Sequence, residues 1–491
     1  MRLQARRPLF LAALAVTFAM AFSALPEVPP ADASSNDGSG GRAVAHRSGA
    51  AEVNTAAARA NAPDAKLHRI KVDGTQLQGV EPTLGLTKNG DVYYAAFQTN
   101  TRIEVAHSGD NGQTWDLRSP ELPGGRNTHA LSFDPYVYVD PRTDRIFTID
   151  LTVACSYLSF SDDKGKSYIT NPIACGRPVN DHQTLFAGPP VNSPTVGYKN
   201  IVYYCWNDVG SSSCSKSLDG GLSFSPTGAP AYPGIDPEAG EQDDNFCGGL
   251  HAHGYVGHDG TVYLPKGHCG QPFLSISKDE GKTWNRVQVA KIGTSTHEAG
   301  VATDSKGNIY YAWVARDRLP YLVISKNGGK TWSKPQMIAP PGVKEANLPG
   351  LDVGAPGKVA IVYMGSENSP FRPGREENAN ECTALGSCTR EGYKKVTWNG
   401  YMTISANALD DEPLFYSGTV NEKKDPLIRD TCGPGRCRAV FDFIDIVIGR
   451  DGTPWAAFVD GCTSICATAA GASNLGSDAV VGRLVGGPKL R

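Results

Sequence analysis

Ser277-Lys278-Asp279-Glu280-Gly281-Lys282-Thr283-Trp284 is one of five copies of a single octapeptide in this chain. The other copies begin at Ser108, Ser161, Ser217 and Ser325 and end at Trp115, Tyr168, Phe224 and Trp332. The shared pattern is Ser-x-Asp/Asn-x-Gly-x-Ser/Thr-aromatic, and each fixed position has a reason rooted in turn geometry. The Asx and hydroxyl side chains bond nearby backbone amides, glycine accepts a positive φ, and the aromatic packs the returning strand. The octapeptide therefore predicts a β-hairpin turn, and successive copies start 53, 56, 60 and 48 residues apart. A repeat of roughly 50 residues built from short strands is the signature of propeller blades.

A second unit recurs upstream of the octapeptides: a short apolar strand, a turn containing glycine, and a strand of the Val-Tyr-Tyr-Ala type. It occurs seven times, at residues 80–97, 133–149, 182–206, 250–264, 297–313, 347–363 and 442–458. Read as strands A and B of a four-stranded blade, with the octapeptide between C and D, these units predict an all-β, seven-bladed β-propeller. In the first blade, A to D fall at 83–87, 92–98, 102–107 and 114–117. The sixth blade lacks a clear octapeptide and carries an insert over about 365–395. The seventh runs out of chain after its C strand at 479–485, so a strand near 67–72 is expected to complete it and remove the open edge.

Residues 1–33 read as a secretory signal: Arg2, Arg6 and Arg7, an apolar core over 9–25, and the small-x-small sequence Ala31-Asp32-Ala33. The Arg6-Arg7 pair fits twin-arginine export. Residues 34–65, rich in Ser, Gly, Ala and Asn, predict a disordered leader, and residues 66–491 the propeller. No later apolar run is long enough to span a membrane, so a secreted, extracellular protein is expected. Twelve cysteines in an exported chain favour disulfides. Pairing between sequence neighbours joins Cys155–Cys175, Cys205–Cys214, Cys247–Cys269, Cys382–Cys388, Cys432–Cys437 and Cys462–Cys466, although spacing alone does not fix connectivity. A net charge of −3 gives no polyanion-binding footprint, so nucleic acid is not an expected partner. A monomer is expected.

Connections in an antiparallel blade alternate between two faces. The octapeptides all fall below, the long connections above, and the first residues of the innermost A strands ring the upper mouth. Nine residues before the A–B glycine stand Glu81, His251 and Glu298. With longer turns allowed, Asp134 and His182 take that place in blades 2 and 3, and Asn347-Leu348 and Asp442-Phe443 in blades 6 and 7. Two residues further along the same strand face come His253 and Asp445. Carboxylates and imidazoles meeting from distant parts of a chain suit acid–base chemistry, because paired groups in a partly closed mouth have their proton affinities pushed apart. Glu81, His251, Glu298 and Asp445 are the candidates for proton transfer. Asp134, His182 and His253 are candidates for substrate binding, with Arg316, Arg318 and Arg438 as forks for a substrate carboxylate. The blander reading is that these groups only bond neighbouring strands and channel waters. His251-Ala252-His253 also has alternate spacing suited to a metal, but nothing in it is diagnostic. No cofactor is called for, and a structural calcium is left open.

At its octapeptides the sequence resembles the sialidase superfamily of Asp-box (BNR-repeat) propellers, over about residues 67–485. The resemblance implies the propeller fold, usually with six blades where the repeats here count seven. It also implies a secreted carbohydrate-active enzyme with an arginine triad, a tyrosine nucleophile assisted by a glutamate, and an aspartic acid donor. The family's aromatic-Arg-Ile-Pro motif corresponds to Gly79-Val80-Glu81-Pro82-Thr83, which puts Glu81 where the arginine stands and would repel a carboxylate. Tyr416-Ser417 is similar to the region of the nucleophilic tyrosine. The expected function is an exo-glycosidase hydrolysing a glycan or polysaccharide by Asp/Glu acid–base chemistry. The alternatives are a polysaccharide lyase on the same fold and a non-catalytic propeller that binds a glycan or protein.

Overall fold

Every side chain of Ile146–Leu151, Ile201–Asn207, Ile309–Ala315, Val359–Ser366 and Pro454–Asp460 is buried. A strand buried on both faces needs a packed layer on each side, which neighbouring blades provide. A computed structural model describes residues 37–491, apart from 98–102, 121–133, 152–155, 174–179, 209–210, 237–246, 248–249, 372–394, 430–431, 434–435, 438–439, 441, 464–465 and 467–475. It is a seven-bladed propeller of antiparallel sheets.

Strands A to D of blade 1 are Leu84–Leu86, Val92–Phe97, Ile103–Ser108 and Asp116–Leu117. Blades 2 to 5 repeat this four-stranded order, with A strands at Tyr136–Val139, Asp181–Gly188, Tyr255–Val256 and Thr294–Thr303. Blade 6 has its A strand at Glu345–Val353 and its D strand at Phe415–Thr419. Blade 7 consists of Asp445–Ile448, Pro454–Asp460 and Asp478–Val485, completed by Asp64–Arg69. The N-terminal closure is as the missing strand demanded, three residues earlier than the 67–72 expected. Arg69 fastens it, with Nη2 2.6 Å from Asp460 Oδ2 and Nη1 3.1 Å from Asp478 Oδ2.

The expectation of a disordered leader does not hold from residue 37 onward. Asp37–Arg42 pairs with Asp64–Arg69 as a fifth strand of blade 7, and Val44–His46 pairs with Phe415–Thr419 as a fifth strand of blade 6. The short helix Ala56–Asn61, capped by the Thr55 hydroxyl, follows Val44–His46 and leads into Asp64–Arg69. The small residues that suggest disorder are what this docking requires: a Cβ on Gly40 would fall 1.6 Å from Thr419 O.

All five octapeptides form the C–D turn through one network. The serine hydroxyl donates to the Asp or Asn Oδ1 at 2.7–3.0 Å and accepts the glycine amide at 2.7–2.9 Å. The same Oδ1 accepts the Ser/Thr amide at 2.9 Å in each copy. Left-handed backbone extends to the fourth position as well as the glycine, at Asn111, Lys164, Gly220, Glu280 and Gly328. Blade 6 has a widened version, in which Ser405 Oγ donates to Asn407 Oδ1 and Leu414 N donates to the same oxygen. Four expected disulfides form: Cys205–Cys214, Cys247–Cys269, Cys432–Cys437 and Cys462–Cys466. Cys155, Cys175, Cys382 and Cys388 lie outside the described residues.

Candidate functional site

Three inner strands lose register where they reach the mouth: between Asp181 and Thr184, between Thr294 and Ala299, and between Asn347 and Gly350. A bulge adds a residue and re-aims a side chain. His182, Glu298 and Leu348 sit inside these three irregularities. His182 and Leu348 hold φ of 50° and 54°, and Glu81 holds 45°. Non-glycine residues in that region cost on the order of 1 kcal/mol or more, and they concentrate at functional sites.

These residues converge at the centre of the ring. Glu298 Oε1 lies 2.7 Å from His182 Nε2. The His182 and His251 rings meet edge to face at 6.0 Å. The Glu81 carboxyl stands beside that of Asp134, and the Glu81 amide donates to Val440 O at 3.0 Å. Gln183 Nε2 donates to Asp134 O at 2.7 Å. Blades 1 to 5 each supply a member, and all are buried, with Glu81 4%, His182 2%, His251 0% and Glu298 2% exposed.

Burial sets the protonation of this group. For Asp134, burial first and Asp181 and Asp442 with it resist negative charge, the Glu81 hydrogen bond and His182 oppose them, and the carboxyl is pushed up to about 6. Two carboxyls side by side in a buried site favour sharing one proton over carrying two negative charges. Burial also disfavours the His182 cation, yet Glu298, then Asp442 and Asp181, raise it to about 9. His251 goes the other way: burial, and next the charge on His182, lower it well below its usual range. Its Nδ1 lies 2.9 Å from Ala252 O, which only accepts, so Nδ1 carries the hydrogen. The Nε2 lone pair of His251 has no hydrogen-bond partner among the described residues. A carboxyl pair, an imidazolium–carboxylate pair and a neutral imidazole thus stand together.

The other expected members do different work. Asp445 Oδ1 is 3.6 Å from His253 Nδ1, but Asp445 Oδ2 accepts the Leu84 amide at 2.9 Å. That bond belongs to a recurring set of ties from one blade's side chain to the next blade's backbone. Thr83 Oγ1 accepts Val137 N at 2.7 Å, Tyr138 Oη accepts Ala187 N at 3.1 Å, Thr184 Oγ1 accepts Gly254 N at 3.2 Å, and Asp352 Oδ2 accepts Ile448 N at 2.7 Å. Asp445 therefore serves as a blade tie. His253 packs against Phe443 at 4.9 Å, and Phe443 also meets His182 at 5.0 Å. Among the described residues, no metal-holding trio includes His251 and His253.

Arg318 is engaged elsewhere, with Nη1 2.8 Å from Glu345 Oε1 and its guanidinium 4.8 Å over Phe371. Arg316 is exposed beside Gly270 and Gly293. Arg438 lies outside the described residues. Tyr416 lies on the D strand of blade 6, paired with Ala45 of the added fifth strand and three strands out from the inner A strand, not at the mouth. The residue that sequence reasoning missed is Lys266, fully buried, bridged through the backbone to His251 and lowered to about 8 by burial. Its signal was a lysine directly after the apolar run 262–265 of the B strand Val262–His268.

The sequence matches no protein-family model and no curated protein. Among solved structures the chain is similar to a protein of unknown function from Dyadobacter fermentans, at 14% identity over 85% of this chain and 97% of that one, with a TM-score of 0.40. It is also similar to the intramolecular trans-sialidase from Ruminococcus gnavus, at 14% identity over 84% and 96%, TM-score 0.38. A third is the Aleuria aurantia lectin, at 11% identity over 67% and 93%, TM-score 0.39.

Proposed function

We propose that the protein is a secreted, Asp-box, carbohydrate-active propeller that hydrolyses a glycosidic bond at its upper mouth by acid–base chemistry. The Glu81–Asp134 pair holds the proton that passes to the leaving glycosidic oxygen. Glu298, paired with His182, is the carboxylate that activates water or stabilises the sugar cation. The neutral His251 lends its Nε2 lone pair to a substrate hydroxyl. The observation that carries this reading is the Glu298–His182 contact at 2.7 Å, buried together with the neighbouring Glu81 and Asp134 carboxyls, so that four separate blades contribute. A second reading, a binding platform without turnover, is favoured by the depth at which these groups lie. A panel of neutral and acidic glycans separates the two. Release of a free sugar supports hydrolysis, an unsaturated product absorbing in the ultraviolet points to a lyase, and binding with no product leaves the platform.

A further inference from the structure

At the end of strand B in blade 4, Val262–His268, the chain turns through Cys269 and Gly270, both with left-handed backbone. This turn brings His268 and Cys269 together with Cys247. A ring nitrogen of His268 and the two sulfurs all lie within 4.8 Å of one another. The two cysteines are joined as a disulfide.

The histidine is arranged as metal-binding histidines are. It is fully buried, and its Nε2 lies 3.1 Å from Asp236 Oδ2, an oxygen that also takes Arg286 Nε at 2.9 Å. With Arg286 holding Asp236 as the carboxylate, Nε2 carries the hydrogen and Nδ1 is left with a lone pair. That Nδ1 is buried and has no hydrogen-bond partner among the described residues. A carboxylate on the remote nitrogen fixes tautomer and ring orientation, and this is the usual second partner of a ligating imidazole. Tyr232 and Phe273 pack on the ring at 5.0 and 5.8 Å and form an apolar wall. Two sulfurs and one imidazole nitrogen make a borderline-soft donor set that suits zinc.

We propose that reduction of the Cys247–Cys269 disulfide turns this corner of blade 4 into a zinc site, with both sulfurs and His268 Nδ1 as ligands and the fourth position open. The step balances with a thiol reductant. The S–S bond breaks, two reductant thiols give up two electrons and two protons and become a disulfide, and Cys247 and Cys269 become thiols. Zinc then displaces both thiol protons. In the oxidised state each sulfur is bound to the other and neither is a thiolate, so the bridge excludes the ion.

The test uses cobalt(II) as a spectroscopic stand-in for zinc on the full mature chain. Treated with a phosphine reductant and freed of metal, the protein is expected to take up one cobalt ion with a strong thiolate charge-transfer band, while the untreated protein shows none. His268→Ala should abolish that band, and Asp236→Asn should weaken affinity about 10- to 100-fold. Zinc should also shield Cys247 and Cys269 from alkylation, read by mass spectrometry. Because reduction also opens other bridges, Cys247→His provides a second route. It removes only this disulfide and should bind cobalt in non-reducing buffer through one thiolate. No uptake by folded Cys247→His, or uptake by Cys247→His that survives the added His268→Ala, overturns the proposal.

Discussion

His182 is the residue on which the electrostatics of the centre turn. Its folded value near 9 stands above the ordinary 6.5, so the cation is stabilised by folding. That contribution, on the order of 3 kcal/mol, is fully present below pH 6.5 and is lost as pH rises to about 9. His46 has the opposite sign. Buried in the N-terminal strand with its Nε2 2.7 Å from Ser417 Oγ, it is lowered to about 4, and its contribution is lost as pH falls from 6.5 to 4. We expect the melting-temperature gap between the native protein and His182→Asn to close between pH 6.5 and 9, and the gap for His46→Asn to close between pH 6.5 and 4. Gaps that stay constant with pH would refute these assignments. Counting back from the A–B glycine found Glu81, His251 and Glu298 because those strands keep a fixed length from turn to mouth. It could not separate Asp445 from them, since an aspartate that ties one blade to the next reads identically in sequence. The bulges that aim His182 and Glu298 also escape a linear reading, as register belongs to the paired strand.

At the scale of the element, the octapeptide was the most legible feature, because nearly all its hydrogen bonds are local and each residue type has one job. What it conceals is the variable fourth position. In blade 4 that position is Glu280, whose Oε1 accepts the amides of Val191, Asn192 and Ser193 at 2.9, 2.7 and 2.8 Å while Oε2 meets Lys216 Nζ at 2.8 Å. Three successive amides on one carboxylate form an anion nest, here filled by the protein's own side chain. Burial works against its charge, but the hydrogen bonds from Lys216, Ser193 and the backbone amides together outweigh it and bring the carboxyl down to about 2. Glu280→Ala is expected to destabilise the protein by roughly 2–3 kcal/mol, visible as a lower melting temperature, since charge-assisted bonds lose their acceptor. Added acetate should restore part of the loss. A melting temperature unchanged by the substitution would mean that the nest contributes nothing.

For the whole molecule, closure is the decisive feature. Seven B strands and an unfinished last blade made the architecture readable, and Asp64–Arg69 completes it with the Arg69 clasp on Asp460 and Asp478. The stretch before it was misread, because glycine and serine count as disorder in composition but permit close docking at an edge. Two truncations separate the roles. A chain beginning at Asp64 keeps the closing strand and should fold with reduced stability, having lost the fifth strands on blades 6 and 7. A chain beginning at Ile70 leaves the Asp478–Val485 edge open and should aggregate. Equal behaviour of the two would show that the closing strand is dispensable. The ring in turn holds the centre, since residues far apart in sequence meet only when every blade is in place. The most direct test of that centre is kcat/KM on whichever glycan the panel identifies, for the native protein, Glu81→Gln and Glu298→Gln, with melting curves confirming the fold. The account predicts losses of about 100-fold or more for each variant with the fold intact. Full activity in both folded variants would contradict it.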